Sequence, residues 1–130
     1  MELIIYGYSC ASTRKAKKWL TNHNIPFVFR DIIKHPVKED EIRMILSLTE
    51  GGTDDIISKR SNIYQELNLD LDTIPLKELY ELIHQHPKLL RQPIIVGDHK
   101  IQIGFDKDNI RQFIPREDRT KNLHHILSLC

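Results

Sequence analysis

Leu3-Ile4-Ile5-Tyr6-Gly7-Tyr8-Ser9-Cys10-Ala11-Ser12-Thr13-Arg14-Lys15-Ala16 joins an apolar run to a small-residue turn, a thiol and the start of a helical pattern. Leu3 to Tyr6 reads as a buried strand. The Gly/Ser turn then delivers Cys10. Ala16, Trp19 and Leu20 fall at i, i+3 and i+4, the spacing of one helix face. The thiol therefore sits where a strand meets a helix N-terminus. Unpaired N–H groups and the helix dipole favour an anion there, a thiolate included. Arg14, Lys15, Lys17 and Lys18 add positive charge to the same turns. Cations are disfavoured at a helix start, so the cluster answers a bound anion or acidic partner, or simply extends into water.

Working outward, the helix opened by Ser12 or Thr13 runs to about His23, with Asn24 as its stop. Phe27-Val28-Phe29 gives a second strand ending in Arg30 and Asp31, and a β-α-β unit with so short a connection is parallel and right-handed. Lys38-Glu39-Asp40-Glu41 then places acid in a first helical turn ahead of Ile42, Ile45 and Leu46 on one face. Gly51-Gly52 ends that helix, and Thr53-Asp54-Asp55 caps a new one before Ile56-Ile57. A short helix is expected over 62–67, and Pro75 opens another carrying Leu76, Leu79, Tyr80 and Ile83. Residues 36–86 thus read as a helical insertion beside the sheet. Ile94-Ile95-Val96 and the alternating Ile101, Ile103 and Phe105 form an antiparallel hairpin, with Gln102 and Gly104 between the apolar positions. Asp106 caps a last helix with Ile110, Phe113 and Ile114, and Pro115 stops it. The order β-α-β, helical insertion, β-β-α is an α/β, thioredoxin-like plan with a four-stranded mixed sheet. Residues 1–115 make one domain. In the tail, 116–130, Leu123, Ile126, Leu127 and Cys130 recur at helical spacing.

Composition sets bounds on function. The 130 residues are 40% hydrophobic and 28% charged, with a formal net charge of +1. That supports one packed core and argues against a generic electrostatic DNA binder. No apolar run approaches membrane-spanning length, and Met1-Glu2-Leu3 lacks the features of a signal peptide. Cys10 and Cys130 are too far apart to suggest a disulfide framework, so a cytoplasmic protein with reduced thiols is expected. His84, His86, His124 and His125 do not complete a metal geometry, and neither metal nor cofactor is implied. Trp19, Tyr80 and Phe113 are expected in the core.

A family likeness runs along nearly the whole chain. It is carried by Ser9-Cys10 with Arg14-Lys15-Ala16, Trp19-Leu20, Ile25-Pro26-Phe27-Val28 and Leu48-Thr49-Glu50-Gly51-Gly52-Thr53-Asp54. It continues through Ile56-Ile57-Ser58-Lys59-Arg60-Ser61, Leu89-Leu90-Arg91-Gln92-Pro93-Ile94-Ile95 and Phe113-Ile114-Pro115-Arg116. The sequence resembles the Spx/arsenate reductase family of thioredoxin-like proteins, and within it the Spx branch. The resemblance implies a cytoplasmic transcriptional regulator that binds the C-terminal domain of the RNA polymerase α subunit and meets promoter DNA only within the polymerase complex. The family's polymerase-contact glycine matches Gly52, and the implied interface is formed by Tyr8, Cys10 and Gly52, with Arg14 and Lys15 beside it. A contact arginine one turn before that glycine is Ser47 here. Regulated degradation in the family makes Leu127-Ser128-Leu129-Cys130 a candidate mark for a protease or its adaptor.

Two departures from the resemblance matter. Spx proteins carry a Cys-x-x-Cys switch, and here its second position is Thr13, whose hydroxyl can hydrogen-bond a thiolate but cannot close a disulfide. Cys10 is then the only redox group of the motif. In the arsenate reductase reading, the alternative, the catalytic set is Cys10 with Arg60 and Arg91. That scaffold holds its oxyanion with three arginines, yet the residue before Pro93 is Gln92 and the third has no counterpart around 100–104. One surely placed guanidinium holds a doubly charged oxyanion poorly. The likeness also makes the Gln92–Pro93 bond cis.

Overall fold

The computed structural model describes residues 3–114. Strand β1 (Leu3–Gly7) leads into helix α1 (Ala11–Asn22), which returns to β2 (Phe27–Asp31). The insertion follows as α2 (Glu39–Leu48), α3 (Thr53–Ile56), α4 (Asn62–Leu67) and α5 (Leu76–Gln85), then a 3-10 turn, Pro87–Leu89. Strands β3 (Ile94–Val96) and β4 (Ile101–Ile103) and a 3-10 helix, Asn109–Phe113, complete the described chain. The sheet order is β2-β1-β3-β4. β1 pairs parallel with β2 (Ile5 opposite Phe29) and antiparallel with β3 (Ile5 opposite Ile95), and β3 pairs antiparallel with β4. This is the four-stranded mixed sheet expected from the apolar runs.

Alternation along β1 splits the core into two layers. Leu3 and Ile5 face Ala16 and Leu20 of α1, with Ile95, Ile110 and Phe113. Tyr6 faces the insertion, against Ile42 and Ile45 of α2, Ile56, and Leu79 and Ile83 of α5. Each fully buried Ile or Leu contributes about 1.5–3 kcal/mol. The insertion therefore supplies one whole layer, which is why its apolar faces recur at helical spacing.

Five local expectations are corrected. Cys10, not Ser12 or Thr13, is the N-cap: its backbone is extended (φ −138°, ψ 170°) while its carbonyl accepts the Arg14 N–H at 3.0 Å. Thr13 becomes the third helical residue and is 1% exposed. Gly51-Gly52 does not end α2, which closes earlier at an extended Thr49; the positive φ of Gly52 (+68°) instead starts α3. In β4 the polar residue faces the packed interior. Gln102 is 5% exposed and donates to the carbonyls of Gly104 (3.1 Å) and Asp106 (3.3 Å), while Ile101 and Ile103 are only partly buried. The sheet is covered on both faces, so alternation does not sort inside from outside. The last helix is 3-10, though the Asp106 carboxylate caps it as expected by accepting the Asp108 and Asn109 N–H groups at 2.8 and 3.3 Å. Tyr80 and Phe113 are buried as expected, whereas Trp19 is half-buried and stacks on His23 with ring centroids 3.8 Å apart. Pro115, the tail and Cys130 lie outside the described residues.

Candidate partner-binding site

The β1–α1 loop is held by two contacts. The Tyr8 N–H donates to Gln92 Oε1 at 2.7 Å, and Cys10 Sγ lies 3.2 Å from Thr13 Oγ1. Gly7 makes this convergence possible: a Cβ there would sit 3.0 Å from both Gln92 Oε1 and Thr13 Oγ1. The Gln92–Pro93 bond is cis, as the resemblance implies. Cys10 is half-buried, with a neutral hydroxyl as its hydrogen-bonding neighbour.

Around the loop the charges divide into two groups. Arg14, Lys15 and Lys18 are exposed on α1, whose first turn carries no acid. Lys17 has a local explanation, its ammonium 4.1 Å from the centre of the Phe29 ring. The second group surrounds a cleft of about 810 Å³ lined by Tyr8, Ile33, Arg60, Lys88, Arg91 and Gln92, among others. Its far wall is fixed by backbone pairing, Ser58 N–H to Leu89 carbonyl at 2.7 Å and Arg91 N–H to Ile56 carbonyl at 2.8 Å. Arg60 and Arg91 thus share one cleft, but Cys10 is not among its lining residues. Arg91 Nη1 donates to the Asp55 carbonyl at 3.3 Å. The side chain reaching the Cys10 loop from beside Pro93 is Gln92, whose amide oxygen is committed to Tyr8.

Gly52 sits apart from that cleft, at the start of α3. Its φ of +68° and ψ of −134° suit glycine alone, and no atom lies within 4 Å of the place a Cβ would take. The turn is braced by the Gly51 N–H donating to Asp55 Oδ2 at 2.7 Å. Ser47 is exposed, its hydroxyl donating to the Met44 carbonyl. Nearby, the Asp54 carboxylate, 2.9 Å from Lys59, raises that ammonium above its ordinary range.

One cluster was not foreseen from sequence. Arg30 grips Glu41 with both terminal nitrogens (2.9 and 3.0 Å), and the Tyr6 hydroxyl and Lys38 N–H donate to the same carboxylate at 2.9 and 3.1 Å. Burial alone would raise the Glu41 carboxyl, but the Lys38 N–H, the Tyr6 hydroxyl and Arg30 outweigh it and hold it below the usual range. Burial, then the bond to Glu41, pushes the Tyr6 hydroxyl far up. The available signal was Glu41 three residues after the N-cap Lys38.

Among the described residues no group of three His, Cys, Asp or Glu could hold a metal ion. No helix there is long and apolar enough to cross a membrane.

A thiol at a helix N-terminus and this strand order define a thioredoxin-like protein. The ArsC family matches residues 6–113. The global transcriptional regulator Spx of Bacillus subtilis is 50% identical over 122 residues, which cover 94% of this chain and 93% of the relative. That of Listeria innocua is 51% identical over 115 residues, 88% of each chain. Among solved structures, an ArsC family related protein from Bacteroides fragilis superposes with a TM-score of 0.76 at 25% identity, covering 87% of this chain and 98% of that one. The arsenate reductase from Vibrio cholerae gives 0.71 at 22% identity, over 88% and 96%, a likeness of fold alone. The chain belongs to the ArsC family, in its Spx branch, and by that kinship is a transcriptional regulator.

Proposed function

We propose that this cytoplasmic regulator docks on the C-terminal domain of the RNA polymerase α subunit, reaches promoter DNA only through the polymerase, and works without an intramolecular disulfide switch. The observation that carries the reading is Gly52: a glycine-only backbone bend, open on its Cβ side, where a partner backbone can approach closely. Tyr8 and Cys10 on the braced β1–α1 loop, with the exposed Arg14 and Lys15, supply the rest of the surface. Thr13 at the second motif position leaves Cys10 with a hydroxyl, not a thiol, one helical turn away. No catalytic role is assigned. Arg60 and Arg91 sharing a cleft favour an oxyanion reductase as the second reading, but the nearest amide to the Cys10 loop is that of Gln92.

Titration calorimetry of the full chain with the purified α domain tests the docking. Any Cβ at Gly52 meets about 1–3 kcal/mol of backbone strain, so Gly52→Ala controls for strain without bulk. Binding should survive Gly52→Ala and vanish in Gly52→Arg; equal affinity for both variants would refute the site. Oxidation by diamide should change the affinity little, and a large change reversed by dithiothreitol would contradict the missing switch. Arsenate turnover with glutathione, lost in Cys10→Ser, would replace the reading with the enzymatic one.

A further inference from the structure

The 810 Å³ cleft carries features that neither the polymerase reading nor a small oxyanion uses. The cleft is lined by polar and apolar surface in similar measure. Tyr8, Ile63 and Leu90 line it, and Ile33 stands at its edge 50% exposed, among the most exposed large apolar side chains described. The exposure of Ile33 is built in: Asp31 Oδ1 accepts the Ile33 and Lys34 N–H groups at 3.0 and 3.2 Å and fixes the turn that presents it. The rim is cationic. Arg60, Lys88 and Arg91 are exposed, and none joins an ion pair among the described residues, although Lys59 next door is paired with Asp54. Lys88 Nζ lies 5.8 Å from the centre of the Tyr8 ring, so a cation and an aromatic face adjoin in the cleft. Glu66 is the one carboxylate in the lining. Three cations with no carboxylate partner among the described residues, around a cleft that Tyr8, Ile33 and Ile63 also line, in a chain of net charge +1, are a local concentration that calls for an acidic complement.

We propose that this cleft is a docking groove for an acidic peptide segment of a partner protein, with an apolar side chain of that segment seated between Ile33 and Tyr8 and its carboxylates on Arg60, Lys88 and Arg91. The volume lies within the range of ordinary ligand clefts. A phosphodiester backbone would use the cations but leave the exposed Ile33 and the Tyr8 ring without a role. The groove shares Tyr8 with the proposed polymerase surface but not Gly52, which does not line it.

Fluorescence anisotropy of the full chain with a labelled Asp/Glu-rich peptide carrying one central Phe tests this. The peptide should bind, and its Asn/Gln counterpart should bind at least about tenfold more weakly. Arg60→Glu with Lys88→Glu should weaken it about tenfold or more, Ile33→Asp should weaken it too, and Glu66→Gln should tighten it. Circular dichroism checks that these surface variants fold, and Gly52→Arg should leave the peptide affinity unchanged. Equal binding of the neutral peptide, indifference to the charge reversals, or tighter capture of duplex DNA at the same cations would each overturn the proposal. Loss of the peptide in Gly52→Arg would overturn the separateness of the two sites.

Discussion

Replacing Glu41 by alanine removes one acceptor from four donor groups at once, and the size of the loss follows from their burial. Tyr6 is 2% exposed, so its hydroxyl, which now donates at 2.9 Å, would be stranded in the core layer beneath the insertion. A stranded buried donor costs about 1–3 kcal/mol. The Arg30 side chain is 26% exposed and keeps its bonds to the His35 and Pro36 carbonyls, so the lost ion pair adds only about 1 kcal/mol. Losing the reach back to the Lys38 N–H removes part of the α2 cap, about 0.5–1 kcal/mol. The sum is about 2.5–5 kcal/mol, a urea midpoint lower by about 1–3 M at an ordinary slope. Trp19 fluorescence at pH 7 follows the transition. Tyr6→Phe removes the donor that Glu41→Ala would strand, so the double variant should recover about 1–2 kcal/mol relative to additivity. A cost below about 1 kcal/mol, or no coupling between the two sites, would refute the argument that the carboxylate ties β1, β2 and α2 together.

Acid should expose the same tie. Because the folded state holds the Glu41 carboxyl below its unfolded value, its contribution is fully present above about pH 4.3 and is lost as pH falls through the lower folded value. Glu41→Gln should flatten that acid limb, read as a smaller loss of urea midpoint between pH 5 and pH 3; an unchanged limb would assign it to other carboxylates.

Thr13→Cys should restore a closable pair, since Thr13 Oγ1 already lies 3.2 Å from Cys10 Sγ; thiol titration after diamide should find two fewer free thiols than before, against no such loss in the parent. Gly7→Ala should disturb the β1–α1 loop by pressing a methyl to 3.0 Å from Gln92 Oε1 and Thr13 Oγ1, lowering stability by about 1–3 kcal/mol and weakening α-domain binding with it; calorimetry of both checks this. Fusing 123–130 to a stable reporter tests the tail as a degradation mark, and an unchanged half-life in the cell would remove that role.

The sheet was legible because its strands are short apolar runs bounded by Gly, Pro or charge, and the insertion because Ile42, Ile45, Leu79 and Ile83 keep helical spacing. The misread points share a cause: local chemistry was outvoted by neighbours distant in sequence. Thr13 is a fair N-cap by type, but the chain enters α1 with Cys10 already extended, which turns the Thr13 hydroxyl toward the sulfur. Gln102 reads as solvent-facing, yet it is buried, its amide nitrogen donating to the carbonyls of Gly104 and Asp106 while its amide oxygen has no partner among the described residues. At Gln92 the sequence tells only that an expected arginine is missing. That the amide would reach 84 residues back to the Tyr8 N–H follows from strand pairing, which no local pattern contains.

That replacement bears on the whole site. An arginine beside Pro93 would bring a charge toward the Cys10 loop; Gln92 brings a neutral acceptor and uses it to hold the loop's backbone. Thr13 likewise gives the sulfur a hydroxyl where a second thiol would have given it a bond to close. Both changes act in one direction. They take charge and redox partners away from Cys10 while bracing the turn that carries Tyr8 and Cys10, and the free cations lie outside, on the first turns of α1 and on the rim of the cleft. In the proposed docking the loop would contribute its shape, held by Gln92 and Thr13, and not a second thiol.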